Sequence, residues 1–191
     1  MLKMPPRLYI ALLHYPVYDR QGRVVTTAVT NLDIHDISRS SKTYGVERFY
    51  IVTPLEPQKA LVGKILRHWR EGPGALFNPS RREAFGLAEV KGSLEEVLDD
   101  ISERDGCRAR IIVTGAGFSA GVIGFEDLRR RMASDDGPYL LLFGTGSGLA
   151  AEVTGLADFV LEPLGRSGGY NHLSVRSAVA VVLDRLQYEK F

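Results

Sequence analysis

The sequence predicts an α/β fold: a mostly parallel sheet with helices on both faces. Three observations predict it. Strand-like and helix-like segments alternate along the 191 residues. Four apolar runs, beginning near Leu8, Phe49, Ile111 and Leu140, read as strands buried on both faces. Glycine turns follow two of these runs, where open α/β sheets hold their ligands.

Residues 7–13 form the first expected strand, with Leu8, Tyr9, Ile10, Leu12 and Leu13 in one run. Residues 14–29 read as a long loop or hairpin, with Pro16 and Gly22 as turn residues. A helix then starts at Thr30 or Asn31 as cap, carries Ile34, Ile37, Ser41 and Tyr44 on one face, and stops at Gly45. Residues 48–53 are a strand ended by Pro54. Residues 56–70 repeat Ala60, Leu61, Ile65, Leu66 and Trp69 at helical spacing. Residues 71–85 are rich in Gly, Pro and Asn and read as a loop, followed by a short strand over 87–90. Ser93-Leu94-Glu95-Glu96 opens a capped helix running to about Asp105. Residues 110–113 are a strand ending in Thr114-Gly115-Ala116-Gly117, and residues 124–133 are a helix. The strand at 139–143 ends in Gly144-Thr145-Gly146-Ser147-Gly148, and that at 159–161 ends in Glu162-Pro163-Leu164. A third turn, Gly168-Gly169-Tyr170-Asn171, precedes the last segment. Residues 173–186 admit a buried strand by composition. Their length, alanines and Asp184-Arg185 favour a buried helix. No repeat, low-complexity tract or linker interrupts the chain, so one domain over 1–191 is expected.

Composition narrows the function classes. Hydrophobic content is 45% and charged content 25%, ordinary for a globular protein. A net charge of +1 rules out bulk basicity as the route to nucleic acid, which leaves local patches. Such patches are offered by Arg67-His68-Trp69-Arg70, Arg81-Arg82 and Arg129-Arg130-Arg131. Cys107 is alone, so an intrachain disulfide and a cysteine metal cage are excluded and a reducing, cytoplasmic setting is expected. No apolar run nears the roughly 20 residues of a membrane span, and residues 1–7 lack a signal peptide's apolar core.

The glycine turns offer bare N–H and C=O groups, which suit an adenine-bearing ligand. Gly144-Thr145-Gly146-Ser147-Gly148 is not a P-loop, because no Gly-Lys-Ser/Thr follows. It also lacks the dinucleotide spacing G-x-G-x-x-G, as does Thr114-Gly115-Ala116-Gly117. A Rossmann-like nucleotide-dependent enzyme is therefore the weaker reading of these turns.

Leu141-Leu142-Phe143-Gly144-Thr145-Gly146-Ser147-Gly148-Leu149 resembles a motif of the SPOUT methyltransferases, an apolar strand followed by Gly-x-Glu/Thr-x-Gly-Leu. Phe159-Val160-Leu161-Glu162-Pro163-Leu164 resembles the next motif, a short strand ending in a proline turn. Tyr170-Asn171-His172-Leu173-Ser174-Val175-Arg176-Ser177-Ala178 resembles the final one, where Leu-Asn-x-Ser opens a long C-terminal helix. Arg39-Ser40-Ser41-Lys42-Thr43-Tyr44-Gly45 resembles the Arg-Thr-x-x-x-Phe-Gly of the 2′-O-ribose branch. The chain departs from that branch twice. Asp33 stands where an asparagine is expected, and Asn171 lies three residues before Ser174 instead of two. As a whole the chain resembles a compact bacterial branch of the superfamily related to tRNA guanine-N1 methyltransferases.

The resemblance implies a C-terminal deep trefoil knot, which neither composition nor periodicity reveals. It implies S-adenosylmethionine as cofactor, contacted by Thr114, Gly115, Gly144, Thr145, Gly148, Leu161, Leu164, Asn171, Leu173 and Ser174. It implies a homodimer with the catalytic pocket at the subunit junction. Arg39 is the expected catalytic cation, because a guanidinium stabilises a phosphate or a developing oxyanion; pairing with Asp36 explains it equally. Asp33 is the expected base, although a carboxylate there also completes a helix cap with Thr30. His14, His35, His172 and Arg176 are candidate substrate contacts. The expected activity is methyl transfer to a nucleotide of structured RNA, tRNA or rRNA. No metal is expected, because the sulfonium is already activated. A non-catalytic S-adenosylmethionine- or RNA-binding module remains the alternative.

Overall fold

The computed structural model describes residues 7–165 and 170–187, and the Gly168-Gly169 part of the third expected turn lies outside them. The main sheet has seven strands: β1 (Leu8–Leu13), β4 (Arg48–Val52), β5 (Ala88–Lys91), β6 (Arg110–Val113), β7 (Val122–Ile123), β8 (Tyr139–Gly144) and β9 (Phe159–Leu161). Their order is β5-β4-β1-β8-β6-β9-β7. Every strand pair in it is parallel. A separate antiparallel hairpin, β2 (Val17–Tyr18) with β3 (Val24–Val25), fills the expected excursion.

The buried runs explain the layering. Strand side chains alternate in direction, so one strand feeds both cores. Leu8, Ile10 and Leu12 join α1 (Asn31–Thr43), α2 (Glu56–Arg70), α6 (Phe125–Ser134) and α8 (Val175–Gln187) on one face. Tyr9, Ala11 and Leu13 meet α5 (Leu94–Asp105) and the short α7 (Ala151–Thr154) on the other. The ambiguous C-terminal segment is the helix α8. It buries Val179, Val182, Leu183 and Leu186, each worth roughly 1.5–3 kcal/mol against exposure.

Two expectations need correction. Residues 71–85 are not a loop but two short helices, α3 (Pro73–Phe77) and α4 (Pro79–Phe85). Each proline sits at the helix start, where its missing N–H is not needed. The Asn78 side chain accepts from the Arg81 N–H at 3.0 Å to cap α4. Leu76 and Phe77 are largely exposed, so no helical stripe announces α3. In α2 the buried residues are Val62 and Leu66, while Leu61 faces solvent. Ile65, Leu66 and Trp69 of the expected stripe do pack on the core, and only its first turn differs, with Val62 buried in place of Ala60 and Leu61.

Candidate functional site

A cavity of about 1060 Å³ opens beyond the C-terminal ends of β6, β8 and β9, beside the starts of α1 and α8. All ten residues expected to contact the cofactor line it. So do Asp33, His172 and Arg176. Its walls also include Arg20, Thr27, Thr30, Glu162 and Tyr170, which sequence reasoning missed. The hairpin brings Arg20 and Thr27, and no motif announced that reach.

Local bonds fix each loop. After β6, the Thr114 hydroxyl and N–H both donate to the Leu142 carbonyl. After β8, Thr145 donates twice to the Leu13 carbonyl, from its N–H and its hydroxyl. The hairpin then zips against this loop: Tyr18 N–H donates to the Gly148 carbonyl at 2.9 Å, and Ser147 N–H donates to the Tyr18 carbonyl at 2.7 Å. Gly146 permits the approach. Its φ is +60°, and a Cβ there would lie 2.6 Å from the Tyr18 carbonyl oxygen. A Cβ on Gly144 would lie 2.8 Å from the Leu149 backbone nitrogen. At the entry to α8, the Ser174 hydroxyl takes the Ser177 N–H and bonds the Ser177 hydroxyl.

Asp33 sits on the cavity wall and is 5% exposed. The Thr30 hydroxyl donates to one of its oxygens at 2.6 Å, and Arg176 reaches the other at 3.4 Å. Asp33 also donates its N–H to Thr30, so the helix cap and the cavity carboxylate are one arrangement. Arg176 bridges to Asp36 at 3.5 Å, and Asp36 meets Arg39 at 4.0 Å. Charges thus alternate from the cavity outward: Asp33, Arg176, Asp36, Arg39. Arg39 itself is exposed and does not line the cavity.

Two histidines lie elsewhere. His35 packs edge-on against Trp69 and Phe85, in a separate groove of about 480 Å³. His14, a candidate substrate contact, does not line the cavity. It is fully buried, because it follows the central strand β1 and the hairpin covers it. Its Nδ1 lies 3.1 Å from the Thr27 hydroxyl, which in turn bonds the Thr145 hydroxyl. The Thr27 hydroxyl also reaches the His14 carbonyl at 3.5 Å, and the Thr145 hydroxyl donates to the Leu13 carbonyl, so strand end, hairpin and glycine loop share one hydrogen-bonded network. His14 therefore holds the cavity wall from behind.

Burial pushes the His14 imidazole down to about 4, against an opposing pull from Asp33. The folded state keeps it neutral while the unfolded chain takes up a proton below its ordinary value of 6.5. Its contribution to stability is present above 6.5 and is lost as pH falls towards 4. That loss amounts to about 3 kcal/mol. Urea denaturation across this window should show the drop, and His14→Gln should flatten it.

The site fits S-adenosylmethionine on its own features. Its volume is ample for a ligand of that size. The glycine loops bare main-chain groups for an adenine edge. Asp33 and Glu162 are both among the lining residues, and carboxylates suit a cationic sulfonium, although one Glu162 oxygen also accepts from the Phe125 N–H at the start of α6.

The fold and the cavity define a parallel α/β protein that binds its cofactor through loops at the strand ends. Residues 7–188 match the family model described as SAM-dependent RNA methyltransferase, and the chain belongs to that family. A tRNA (guanine-N(1)-)-methyltransferase of Oleidesulfovibrio alaskensis is 46% identical over 179 residues, 94% of this chain but 41% of that protein. The chain thus spans well under half the length of that relative. An uncharacterized protein of Aquifex aeolicus is 36% identical over 94% of this chain and 87% of its own length. Among solved structures, the SpoU methyltransferase AviRb of Streptomyces viridochromogenes with AdoMet bound superposes with a TM-score of 0.59. It is 18% identical and covers 97% of this chain and 58% of AviRb. That likeness bears out the SpoU-type knotted α/β fold implied by the resemblance. The family and its methyl donor displace the Rossmann-like reading.

Proposed function

We propose that this chain transfers the methyl group of S-adenosylmethionine to tRNA, with N1 of guanine as the acceptor atom. The observation that carries the reading is the Asp33 carboxylate, set on the wall of the cavity that gathers the cofactor loops. Bound S-adenosylmethionine supplies an electrophilic methyl group on a sulfonium. The residues position the nucleotide and remove its proton. Guanine N1–H is far more acidic than a ribose hydroxyl, so a carboxylate suffices to accept the N1 proton. Asp33 is held ready for it by Thr30 and Arg176. The name of the Oleidesulfovibrio relative supports the same atom, although this chain matches 41% of that protein. The SpoU-type fold favours ribose 2′-O transfer as the second reading, but a fold alone does not set chemistry. Digesting tRNA labelled by the protein separates them: 1-methylguanosine is expected, and label in ribose-methylated nucleosides would replace the acceptor atom.

Arg39 serves the site in this reading across a homodimer junction. Its support is its exposed position outside its own cavity and the dimeric habit of the resembled family. Arg39→Ala should cut turnover at least ~10-fold with cofactor affinity unchanged. Unchanged turnover would remove Arg39 from the site. A cytoplasmic location, where tRNA resides, completes the reading.

A further inference from the structure

The hairpin adds a cation to the cavity that nothing in the cofactor motifs assigns. Asp19 builds the hairpin turn: its carboxylate accepts from the N–H groups of Gln21 and Arg23 at 2.8 and 2.9 Å. It also takes the Arg23 side chain at 2.7 Å. That pairing leaves Arg20, next to it on the turn, with no ion-pair or hydrogen-bond partner among the described residues. Arg20 nevertheless lines the cavity. The other guanidinium on that wall, Arg176, is engaged by Asp33 and Asp36.

A second segment brings an unpacked aromatic to the same cavity. Tyr170 is 90% exposed, and among the described residues its ring contact is a T-shaped one with His172, at 5.0 Å between ring centroids. A free guanidinium and an open aromatic face on one cavity form the pair that grips a single-stranded nucleotide. The guanidinium takes the phosphate and the ring stacks on a base.

We propose that Arg20 and Tyr170 form the RNA-gripping rim of this cavity, and that the substrate is an unpaired nucleotide with its own phosphate. A stacked base inside a duplex has no free face for Tyr170. The proposal rests on the RNA-methyltransferase reading above and names which nucleotide that site takes.

Filter binding of bulk tRNA over a salt series tests the rim, alongside calorimetry with S-adenosylmethionine. Arg20→Ala should weaken tRNA binding roughly tenfold and lower the salt slope by about 0.7. Tyr170→Ala should weaken it roughly tenfold with the slope unchanged, and Tyr170→Phe should bind like the parent. Cofactor affinity should stay the same in all three. Arg20→Ala with unchanged tRNA affinity and slope would overturn the rim, as would a loss of cofactor affinity, which would place Arg20 on the cofactor's own carboxylate. Filter binding needs no turnover. An inactive parent protein would count against the catalytic reading, and the slopes would still judge the rim.

Discussion

Gly146→Ala is expected to weaken S-adenosylmethionine binding by at least ~100-fold and to destabilise the protein by roughly 2–4 kcal/mol. Two costs add at this position. A φ of +60° is left-handed, and an alanine there loses about 1–2 kcal/mol. The new Cβ would also sit 2.6 Å from the Tyr18 carbonyl oxygen, a backbone atom that cannot rotate away. The hairpin must lift, and with it go the two bonds that join Tyr18 to Ser147 and Gly148. Those bonds hold the glycine loop open towards the cavity. Gly22→Ala is the control. Its φ is +76° but no atom lies within 4 Å of the added Cβ, so it should lose only the conformational part and bind cofactor normally. Calorimetry and thermal unfolding read both effects. Equal cofactor affinity in the two variants would separate the hairpin from the cofactor site.

Asp33→Asn should reduce turnover by about 10²–10⁴-fold while cofactor affinity stays within a few-fold. Asparagine keeps an oxygen for the Thr30 hydroxyl, so the arrangement at the helix start survives. It loses the charge that faces Arg176 and the capacity to take a proton. Steady-state methyl transfer gives the first quantity and calorimetry the second. A variant of near-normal turnover would return Asp33 to the role of a helix cap and Arg176 partner.

The sheet was legible because its central strands are apolar on both faces. Leu8 to Leu13 and Tyr139 to Phe143 leave no polar position to misread. The cofactor loops were legible through motif order, since their chemistry lies in the backbone and glycine marks where backbone is bared. What escaped has a physical reason in each case. α3 and α4 begin at prolines, residues that also mark loops, and α3 exposes its large side chains. Strand β7 has two residues, too few for any period. Arg20 and Thr27 reach the cavity through the hairpin's docking on the glycine loop, a long-range contact without a local signature. His14 looked like a substrate contact because it follows a strand end, yet the hairpin covers it. Asp33 and Thr30 were read as a choice between cap and catalyst, and the structure shows one geometry compatible with both.

Methyl transfer by this chain on its own is the most direct test of the account. Purified protein is incubated with tritiated-methyl S-adenosylmethionine and bulk tRNA, and acid-insoluble label is counted. Label in tRNA is expected from the unaltered protein, and almost none from Asp33→Asn. Cofactor binding with no label in any RNA pool would contradict it and leave a binding module in place of an enzyme.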